Sequence, residues 1–407
     1  MKNLLPTFST LLLLFIVIFD PTNVVFGIKN YSFAFFIICN WKKIDGKYVI
    51  VPLIFMMVFF ISWTVSFLFD IKLDVSIAMW NLKSFLFLWI LFFISDRKLF
   101  FLSLFYQVTL WLSIFVCFLT LCVILSEGAI RILAEQVIRS LDGFYMYGYR
   151  EFYSIKYFVL FYRTSSMCVI SLGIALVCMY KSMQARYFIH SIIFAVALIV
   201  SGTRANMLSC LLIILGTFFF HILFNKKYIL LSISFLILFL FSVLILVYLL
   251  LNQGDGSSMV KQNHLYSFWE YFKSLPLLVL LLGSGAGTIF FSSGRNETTG
   301  LTELSYMELL KNYGFFHALL LIGIFIFPII KLFLSKKYTL FEKYSISWSY
   351  LAYLFIAGTN PLLIGSTGFT TIACLYYICD KRRLDEIMIN NKSKQVCCYR
   401  KLLKGSS

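Results

Sequence analysis

The sequence predicts an all-α polytopic membrane protein. Of its 407 residues, 61% are hydrophobic and 19% are aromatic, whereas only 13% are charged. A soluble globular chain of this length carries far more charge on its surface. The apolar residues also occur in runs that are bounded by charges and long enough to cross a bilayer. We therefore expect about twelve transmembrane helices, since each needs roughly 20 mostly apolar residues.

The expected spans follow from the apolar runs taken in chain order. Lys29 interrupts the second run, and the seventh and eleventh runs are short, so we expect these two helices to be tilted or to form half of a re-entrant pair. The first run resembles a signal peptide, but no small-residue cleavage site follows Asp20, which favours an uncleaved span. Residues 1–380 are thus expected to form one transmembrane domain, and residues 381–407 a basic cytoplasmic tail. The approximate spans are 4–20, 22–41, 48–69, 76–95, 99–125, 164–180, 187–201, 205–224, 228–251, 313–334, 345–358 and 361–379.

The distribution of lysine and arginine predicts the orientation. The net charge is +17, and most of the basic residues lie in alternate gaps between the spans, as the positive-inside rule expects of cytoplasmic loops. Both termini are therefore expected in the cytoplasm, with two long outward loops at 126–163 and 252–312. This pattern accounts for the positive charge without a nucleic-acid partner. No spacing of cysteine or histidine indicates a metal site.

The first outward loop contains an amphipathic segment. Over residues 128–141 the apolar side chains recur at helical spacing, which predicts a helix on the membrane surface. An aromatic cluster follows, and Arg163 stands directly before the sixth span. Aromatic rings suit both membrane interfaces and the faces of sugars, so the cluster leaves both interpretations open.

Arg204 lies in the segment SGTRAN, between the seventh and eighth spans. An arginine at bilayer depth costs about 2.5 kcal/mol or more, so it should have a partner or face a polar cavity. It can bind an anion such as a lipid pyrophosphate, because a guanidinium group contacts phosphate bidentately. Equally, it can mark a short outer hairpin and extend to the lipid headgroups. The spacing alone does not separate these two hypotheses.

The second outward loop is the longest polar, glycine-rich segment of the chain. Gly285 and Gly287 lie in GSGAGT, where backbone N–H groups could cradle a phosphate. A plain turn is the favoured interpretation, because Thr288 replaces the last glycine of a dinucleotide motif. Arg295 follows in SSGRNETTG, where the ordinary alternative is a solvated turn.

Residues 302–308 are predicted to open a helix, on which Glu303 and Tyr306 share one face. Glu303 is either a general base or sugar ligand at the rim of a cavity, or it complements the positive end of the helix. Glu308 is the alternative acid. Asn360 lies in the segment GTNPLL before the last span, as a polar ligand or as part of a plain Asn-Pro turn.

These segments resemble the bacterial O-antigen polymerases of the Wzy type. The family's short elements occur here in the same order, as SGTRANML (201–208), LLGSGAGTIFFSSGR…TELSYMELLKNYGFF (281–316) and GTNPLL (358–363), and the pair Tyr162-Arg163 before a span is also similar. The resemblance implies a GT-C-like inner-membrane glycosyltransferase with two long periplasmic loops. It would join repeat units carried on undecaprenyl pyrophosphate at the periplasmic face, without nucleotide sugar, cofactor or metal.

The resemblance also implies residue roles and partners. The arginines would hold pyrophosphate or sugar, and a carboxylate would act as base or align the acceptor. Expected partners are the lipid-linked oligosaccharide, the lipid bilayer, a flippase and a chain-length regulator (a polysaccharide co-polymerase). The implied catalytic residues are Glu303, Arg204 and Arg295, and the implied substrate-binding residues are Arg163, Tyr306, Asn360, Glu308, Gly285 and Gly287.

Two alternatives belong to other classes of protein. O-antigen ligases share this layout but usually carry a histidine near the acidic helix of the large loop. Here residues 302–305 contain no histidine, and His264 lies far upstream, which favours a polymerase. A lipid-linked oligosaccharide flippase or another transporter would spread charged residues through several spans at the bilayer midplane. In this chain they concentrate in outward loops and at the edges of spans.

Overall fold

A computed structural model describes residues 4–41, 46–93, 101–125, 128–141, 145–152, 155–224, 256–360, 363–380 and 384, which are mostly helical. In chain order the helices are α1 (Leu4–Phe19), α2 (Lys29–Asn40), α3 (Ile50–Leu68), α4 (Val75–Leu86), α5 (Phe101–Leu125), α6 (Ala129–Ser140), α7 (Ser165–Ser182), α8 (Ala185–Val200), α9 (Arg204–Leu223), α10 (Gly256–Lys273), α11 (Leu277–Leu282), α12 (Ser305–Leu334), α13 (Leu340–Thr359) and α14 (Ser366–Asp380). The strands are β1 (Tyr145–Phe152), β2 (Ile155–Tyr162), β3 (Phe290–Ser292) and β4 (Glu297–Thr299). A 3₁₀ segment, Gly46–Tyr48, precedes α3, and another, Phe87–Phe93, continues α4.

Six helical segments are long and apolar enough to cross a membrane, which supports a multi-pass membrane protein. The helices α1 and α8 are apolar but shorter, with 16 residues each. The predicted second span is only partly helical, because α2 has 12 residues and begins at Lys29. The predicted span 228–251 and all of the predicted tail except Leu384 lie outside the described residues. The six segments are Gly46–Leu68, Val75–Phe93, Phe101–Leu125, Ser165–Ser182, Arg204–Leu223 and Ser305–Leu334.

Two short antiparallel hairpins interrupt the helical fold. Strands β1 and β2 pair from Tyr145 with Tyr162 to Phe152 with Ile155, and β3 pairs with β4 over three positions. The described part of the aromatic cluster, Tyr145–Phe152, is therefore one strand of a β-hairpin, which the sequence analysis did not predict. Aromatic side chains favour strands because they pack well on a pleated surface. The helix predicted over 128–141 is confirmed as α6.

Helix α12 contains a break at Gly314, which has φ 71° and ψ 173°. A side chain at this position would lie 2.3 Å from the backbone nitrogen of Gly283 and 2.5 Å from the carbonyl oxygen of Leu281. The glycine-rich loop therefore packs directly on the break, and only glycine fits there without strain. The polar first segment of α12 begins at Ser305, three residues after the predicted start at Thr302.

The gaps between helices lie at two ends of the bundle. The loop end comprises the described parts of residues 20–28, 69–74, 128–164, 201–203, 256–304 and 360–365, and the tail end comprises residues 46–49, 183–184, 335–339 and the end of α14. At the loop end, Thr164 Oγ1 donates a hydrogen bond to the carbonyl of Ile18 at 2.9 Å. The backbone N–H of Asp74 likewise donates to Gly287 at 2.8 Å. If successive spans alternate in direction, these loops are expected on the same side of the membrane. In the structure they lie close together.

Candidate anion-binding site at the loop end

Polar side chains shape the loop between α1 and α2. The buried carboxylate of Asp20 accepts hydrogen bonds from the N–H groups of Val24 (3.0 Å) and Phe26 (2.7 Å). Asn23 has a φ of 63°, and its Oδ1 accepts a bond from the N–H of Lys29 at 2.7 Å. Asparagine tolerates this conformation better than most residues. These bonds satisfy backbone donors and fix Lys29 as the first residue of α2.

Lys29 extends its ammonium group toward the start of α14. The Nζ atom donates to the carbonyl of Pro21 and lies 3.5 Å from Ser366 Oγ. It also lies 5.8 Å from the centroid of the Phe87 ring. Burial lowers the pKa of Lys29 to about 8, while the Asp20 carboxylate acts in the opposite direction. The ammonium group therefore loses its proton more readily than an ordinary lysine, and a bound anion would favour its charged form.

Arg163 reaches the same region from another element. It follows directly after Tyr162, the fully buried last residue of β2, whose hydroxyl donates to the carbonyl of Ala197 at 3.1 Å. The next residue, Thr164, is also fully buried and bonds to Ile18 at the end of α1. Two anchored neighbours thus hold the backbone of Arg163 beside the α1–α2 loop, while its side chain remains exposed.

Helix α4 and its 3₁₀ continuation supply a further wall. Trp80, Lys83, Ser84 and Phe87 follow the spacing i, i+3, i+4, i+7 and so share one face. Because a helix rises 1.5 Å per residue, Lys83 lies about 12 Å along α4 from its first residue. This position is inside the apolar segment Val75–Phe93. A lysine within such a segment is expected to face a polar cavity, because exposing it to lipid is costly.

These elements surround a cavity of about 250 Å³, which we call the basic cavity. It contains three cationic side chains, from Lys29, Lys83 and Arg163, and none of the described residues that line it is acidic. Three neighbouring cations repel one another unless a counter-charge is present. An anion is therefore the occupant that fits this cavity best. The other lining residues are Pro21, Thr22, Asn23, Asn30, Trp80, Ser84, Phe87, Gly365, Ser366 and Thr367.

A smaller cavity of about 20 Å³ shares Trp80 with the basic cavity as a lining residue. We call it the acidic cavity, because Glu308 lies in its wall. Glu308 and Asn312 come from neighbouring turns of α12 and are only 4% and 3% exposed. The loop end thus places a carboxylate in a cavity that shares Trp80 with the cavity of the three cations. The remaining lining residues are Asn81, Leu301, Thr302, Ser305 and Ile364.

Glu308 is held by contacts on two sides. Its Oε1 accepts a hydrogen bond from the N–H of Thr302 at 2.8 Å, and its Oε2 lies 2.9 Å from Lys311 Nζ. Lys311 is buried and donates to the carbonyls of Thr288 and Gly300, both at 3.0 Å. Removing either member of such a pair leaves the other charge buried and uncompensated, at a cost of about 3–5 kcal/mol. The pair therefore fastens the glycine-rich loop to α12.

Gly285 and Gly287 serve the packing of that loop. Both have a positive φ, 90° and 85°, which glycine adopts at little cost. A Cβ at position 285 would lie 2.9 Å from Ser66 Oγ, and one at position 287 would lie 2.4 Å from the carbonyl oxygen of Asp74. The N–H of Gly285 already donates to the carbonyl of Asn312 at 3.0 Å. This amide is therefore engaged within the protein, and neither glycine lines the basic or the acidic cavity.

Arg295 and Glu303, two of the predicted catalytic residues, lie together. Arg295 Nη2 is 3.6 Å from Glu303 Oε1, and its Nη1 is 3.8 Å from Glu297 Oε1. The side chains of Arg295 and Glu303 are 44% and 38% exposed. Water screens such a pair, so it contributes at most about 1 kcal/mol to stability. Both side chains are accessible to a substrate, although neither lines the basic cavity.

His264 lies beside this pair, although it is far from it in sequence. It sits on α10, and its Nδ1 makes a 2.6 Å hydrogen bond with Ser292 Oγ on β3. The ring is fully buried, and Nε2 has no hydrogen-bond partner among the residues that the structure describes. Burial lowers the pKa of His264, and Arg295 adds to this, while Glu303 and Glu308 oppose it. The imidazole is therefore mainly neutral at pH 7.

Tyr306 and Asn360 join α12 to α13. The Tyr306 hydroxyl donates to the carbonyl of Leu354 at 2.9 Å, and its ring lies so close to Gly358 that a Cβ there would be 2.2 Å away. Ser305 Oγ donates to the carbonyl of Asn360 at 2.6 Å. The start of α12 and the end of α13 thus meet through packing. Neither Tyr306 nor Asn360 lines the two cavities.

Arg204 is the first residue of α9. The preceding Thr203 caps this helix, since its Oγ1 accepts a bond from the N–H of Asn206 at 3.3 Å. Asn206 is buried and donates to Ser165 Oγ at 2.8 Å and to Ser201 Oγ at 2.7 Å. The segment SGTRAN therefore ties the α8–α9 turn to the start of α7. Arg204 is half-buried there and does not line either cavity.

Of the three cations that line the basic cavity, the sequence predicted only Arg163 as a binding residue, and Lys29 and Lys83 were missed. Lys29 was treated as an interruption of a weak span, and Lys83 lies inside the predicted span 76–95. The available signal is the cation itself, because a lysine inside an apolar run is expected to face a polar site. The linear pattern could not show that both would meet Arg163.

Comparisons with known proteins give no relative. No protein-family model matches this chain, and neither a curated protein nor a solved structure matches it. Within the described ranges, no group of three histidine, cysteine, aspartate or glutamate side chains is placed to hold a metal ion. The candidate site is therefore argued from the geometry of the basic cavity.

Proposed function

We propose that the protein is a membrane glycosyltransferase of the O-antigen polymerase type. It would join oligosaccharide repeat units carried on undecaprenyl pyrophosphate, at the periplasmic face of the inner membrane. The observation that supports this most strongly is the basic cavity, where Lys29, Lys83 and Arg163 converge beside Trp80. A pyrophosphate suits such a site, because charge-assisted hydrogen bonds to phosphate oxygens are short and strong.

The position of the cations also fits a donor that is anchored in lipid. Lys83 lies within an apolar helical segment, while Arg163 and Lys29 lie at the loop end of their elements. A polyprenyl pyrophosphate carries its charge at the membrane edge and its chain in the bilayer. A cavity open at the edge of the apolar bundle can bind both parts, whereas a soluble nucleotide sugar has no need of such a position.

In the proposed reaction, an acceptor hydroxyl oxygen attacks the anomeric carbon of the donor sugar. The bond between that carbon and the pyrophosphate oxygen breaks, and the pyrophosphate leaves with the electron pair. Cations in the basic cavity stabilise the charge that develops on the leaving group. A carboxylate accepts the proton of the acceptor hydroxyl. Glu303 is accessible for this role, and Glu308 is the alternative because its cavity shares Trp80 with the basic cavity.

A ligase is the second candidate, and His264 is the observation that favours it. The resemblance to ligases calls for a histidine near the acidic segment of the large outward loop. His264 provides one, since it lies close enough for Arg295 and Glu303 to affect its pKa. A ligase would use the same donor but transfer the glycan to lipid A–core.

The test is to replace cavity cations in a strain that lacks its own copy of the gene and to examine its lipopolysaccharide. Losing one charged contact costs about 1.5–3 kcal/mol, so Lys83→Met should lower polymer about 10- to 150-fold at normal protein level. Lipopolysaccharide capped with a single unit should persist. The matched control is Lys72→Met, which removes an exposed lysine of the loop end that lines neither cavity.

The other possible results of this experiment lead to different conclusions. A normal ladder from both Lys83→Met and Arg163→Met would overturn the proposal. Loss of single units together with polymer would identify a ligase. Lipid-linked units trapped on the cytoplasmic side would identify a flippase.

A further inference from the structure

The acidic cavity presents hydrogen-bond acceptors. Asn312 lines it, and its buried Oδ1 has no hydrogen-bond partner in the described part of the chain. A buried acceptor left without a donor costs about 1–3 kcal/mol, so an occupant that donates a hydrogen bond is expected. Glu308 adds to this property, because each carboxylate oxygen can accept more than one bond. The cavity therefore suits a hydroxyl group.

The size of the acidic cavity limits what enters it. Its volume of about 20 Å³ exceeds the roughly 10–15 Å³ that one water molecule needs, but it is far too small for a sugar ring. One hydroxyl group satisfies both the volume and the need for a donor. The rest of the molecule that carries this hydroxyl must then lie outside the cavity.

Trp80 is the wall that the two cavities share, and 41% of its surface is exposed. An indole ring offers a broad apolar face on which the C–H face of a sugar ring can pack. One of the two cavities that this residue lines contains the cations, and the other contains the hydrogen-bond acceptors. A sugar phosphate has the matching arrangement, with anionic oxygens at one end and hydroxyl donors at the other.

We propose that the acidic cavity binds one hydroxyl group of the sugar whose phosphate occupies the basic cavity, with the ring of that sugar against Trp80. This inference rests on the proposed function, because it takes the basic cavity as the phosphate site. Asn312, with Glu308 beside it, then determines which sugars are accepted. A site built to bond a hydroxyl strongly disfavours an analogue that lacks it, because the buried acceptor stays unpaired.

The test measures binding to the full-length protein in lipid nanodiscs. The probes are inorganic pyrophosphate, geranylgeranyl pyrophosphate, and geranylgeranyl pyrophosphate linked to glucose, galactose or N-acetylglucosamine. The native protein should bind at least one sugar-bearing probe about tenfold more tightly than geranylgeranyl pyrophosphate, which corresponds to one satisfied hydrogen bond. Asn312→Leu keeps the size of the side chain but removes the acceptor, and it should abolish this tenfold difference.

Two controls separate loss of binding from loss of folding. Asn312→Leu should bind inorganic pyrophosphate as tightly as the native protein does, which requires an intact basic cavity. Trp80→Ala should weaken binding of the sugar-bearing probe, and Trp80→Phe should restore most of it, because phenylalanine keeps an aromatic face. A further control uses analogues of the tightest-binding probe that each lack one hydroxyl group. The analogue that lacks the hydroxyl bound by Asn312 should bind equally tightly to the native protein and to Asn312→Leu.

The outcomes distinguish this inference from the function on which it rests. The hydroxyl site is overturned if Asn312→Leu and Trp80→Ala bind every sugar-bearing probe as the native protein does, while Lys83→Met weakens all probes. It is also overturned if the native protein binds no sugar-bearing probe more tightly than geranylgeranyl pyrophosphate. If Lys83→Met and Arg163→Met leave the binding of all probes unchanged, the anion site fails, and the proposed function fails with it.

Discussion

Three lysines of the tail end and the three cations of the basic cavity have opposite surroundings. At the tail end, Lys47 and Lys331 both contact the buried carboxylate of Asp380, and Lys331 Nζ lies 3.7 Å from its Oδ1. Lys181 Nζ lies 2.9 Å from Glu342 Oε1, whose side chain is also buried. At the loop end, the three cations line one cavity, and none of its described lining residues is acidic, although Asp20 lies near enough to Lys29 to raise the pKa of that lysine.

This difference separates cations that serve stability from cations that serve binding. A carboxylate of the protein compensates each of Lys47, Lys181 and Lys331, so these contacts join segments of the fold and need no other partner. We expect the cations of the basic cavity to repel one another and to lower stability in the absence of an anion, with Asp20 compensating part of the charge of Lys29. Such a local cost is expected at functional sites, where a ligand supplies the missing charge.

The largest effect on stability is expected at Lys311, a compensated cation of the loop end. Lys311→Met leaves Glu308 buried without a counter-charge, so the free energy of unfolding should fall by about 3–5 kcal/mol. The same substitution in the basic cavity, Lys83→Met, should leave stability unchanged or raise it, because it removes a repulsion. Unfolding of the purified variants in detergent measures both. If Lys311→Met and Lys83→Met lowered the free energy of unfolding equally, the claim that paired cations stabilise the fold and cavity cations do not would be wrong.

A smaller loss of stability is expected at the tail end. Asp380→Asn removes the charge that Lys47 and Lys331 share, but Lys47 is 44% exposed and can turn to water. The free energy of unfolding should therefore fall by about 1.5–3 kcal/mol. Polymer formed per folded molecule should stay within about twofold of the native level, since a tail-end contact does not bind substrate. Full stability together with lost polymer would place Asp380 in the reaction instead.

The pH dependence of binding tests Lys29. Because burial holds its pKa at about 8 in the free protein, Lys29 is mostly charged below pH 8 and mostly neutral above it. Its contribution to anion binding should be fully present below pH 8 and decline above it. Titrating inorganic pyrophosphate into the native protein and into Lys29→Arg between pH 7 and about 9.5 isolates this effect, since arginine stays charged throughout. Parallel pH profiles would show that Lys29 does not bind the anion.

The smallest effect on stability is expected at the exposed pair of Arg295 and Glu303. Glu303→Gln should change the free energy of unfolding by less than about 1 kcal/mol, because water screens the contact. If Glu303 accepts the proton of the acceptor, polymer should nevertheless fall by orders of magnitude. Normal polymer from this variant would transfer the role to Glu308.

The positions of the helices could be predicted from the sequence because apolar length is a local property. The runs near 48–69, 99–125 and 205–224 correspond closely to α3, α5 and α9. The β-hairpin over 145–162 was not predicted, although its aromatic residues favour strands. In a membrane protein the same residues also suit an interfacial belt, so composition alone did not decide between the two.

The site was less predictable than the helices. Glycine and asparagine occur at positions that need an unusual backbone conformation as often as at positions that bind a ligand. Gly285 and Asn360 stand out in the sequence, yet both take part in packing between segments. Arg163, which the resemblance implies as a substrate-binding residue, lines the basic cavity, and its role in binding stays a prediction. Lys83 was missed, since the face it occupies on α4 depends on the packing of helices that are distant in the chain.

The central claim is that the basic cavity holds a pyrophosphate group. The most direct measurement is an electron cryomicroscopy map of the protein in lipid nanodiscs with geranylgeranyl pyrophosphate. The account predicts density for both phosphates between Lys29, Lys83 and Arg163, with phosphate oxygens within about 4 Å of the cationic nitrogens. Density for the two phosphates at Arg204 or beside Arg295, with none in the basic cavity, would contradict it.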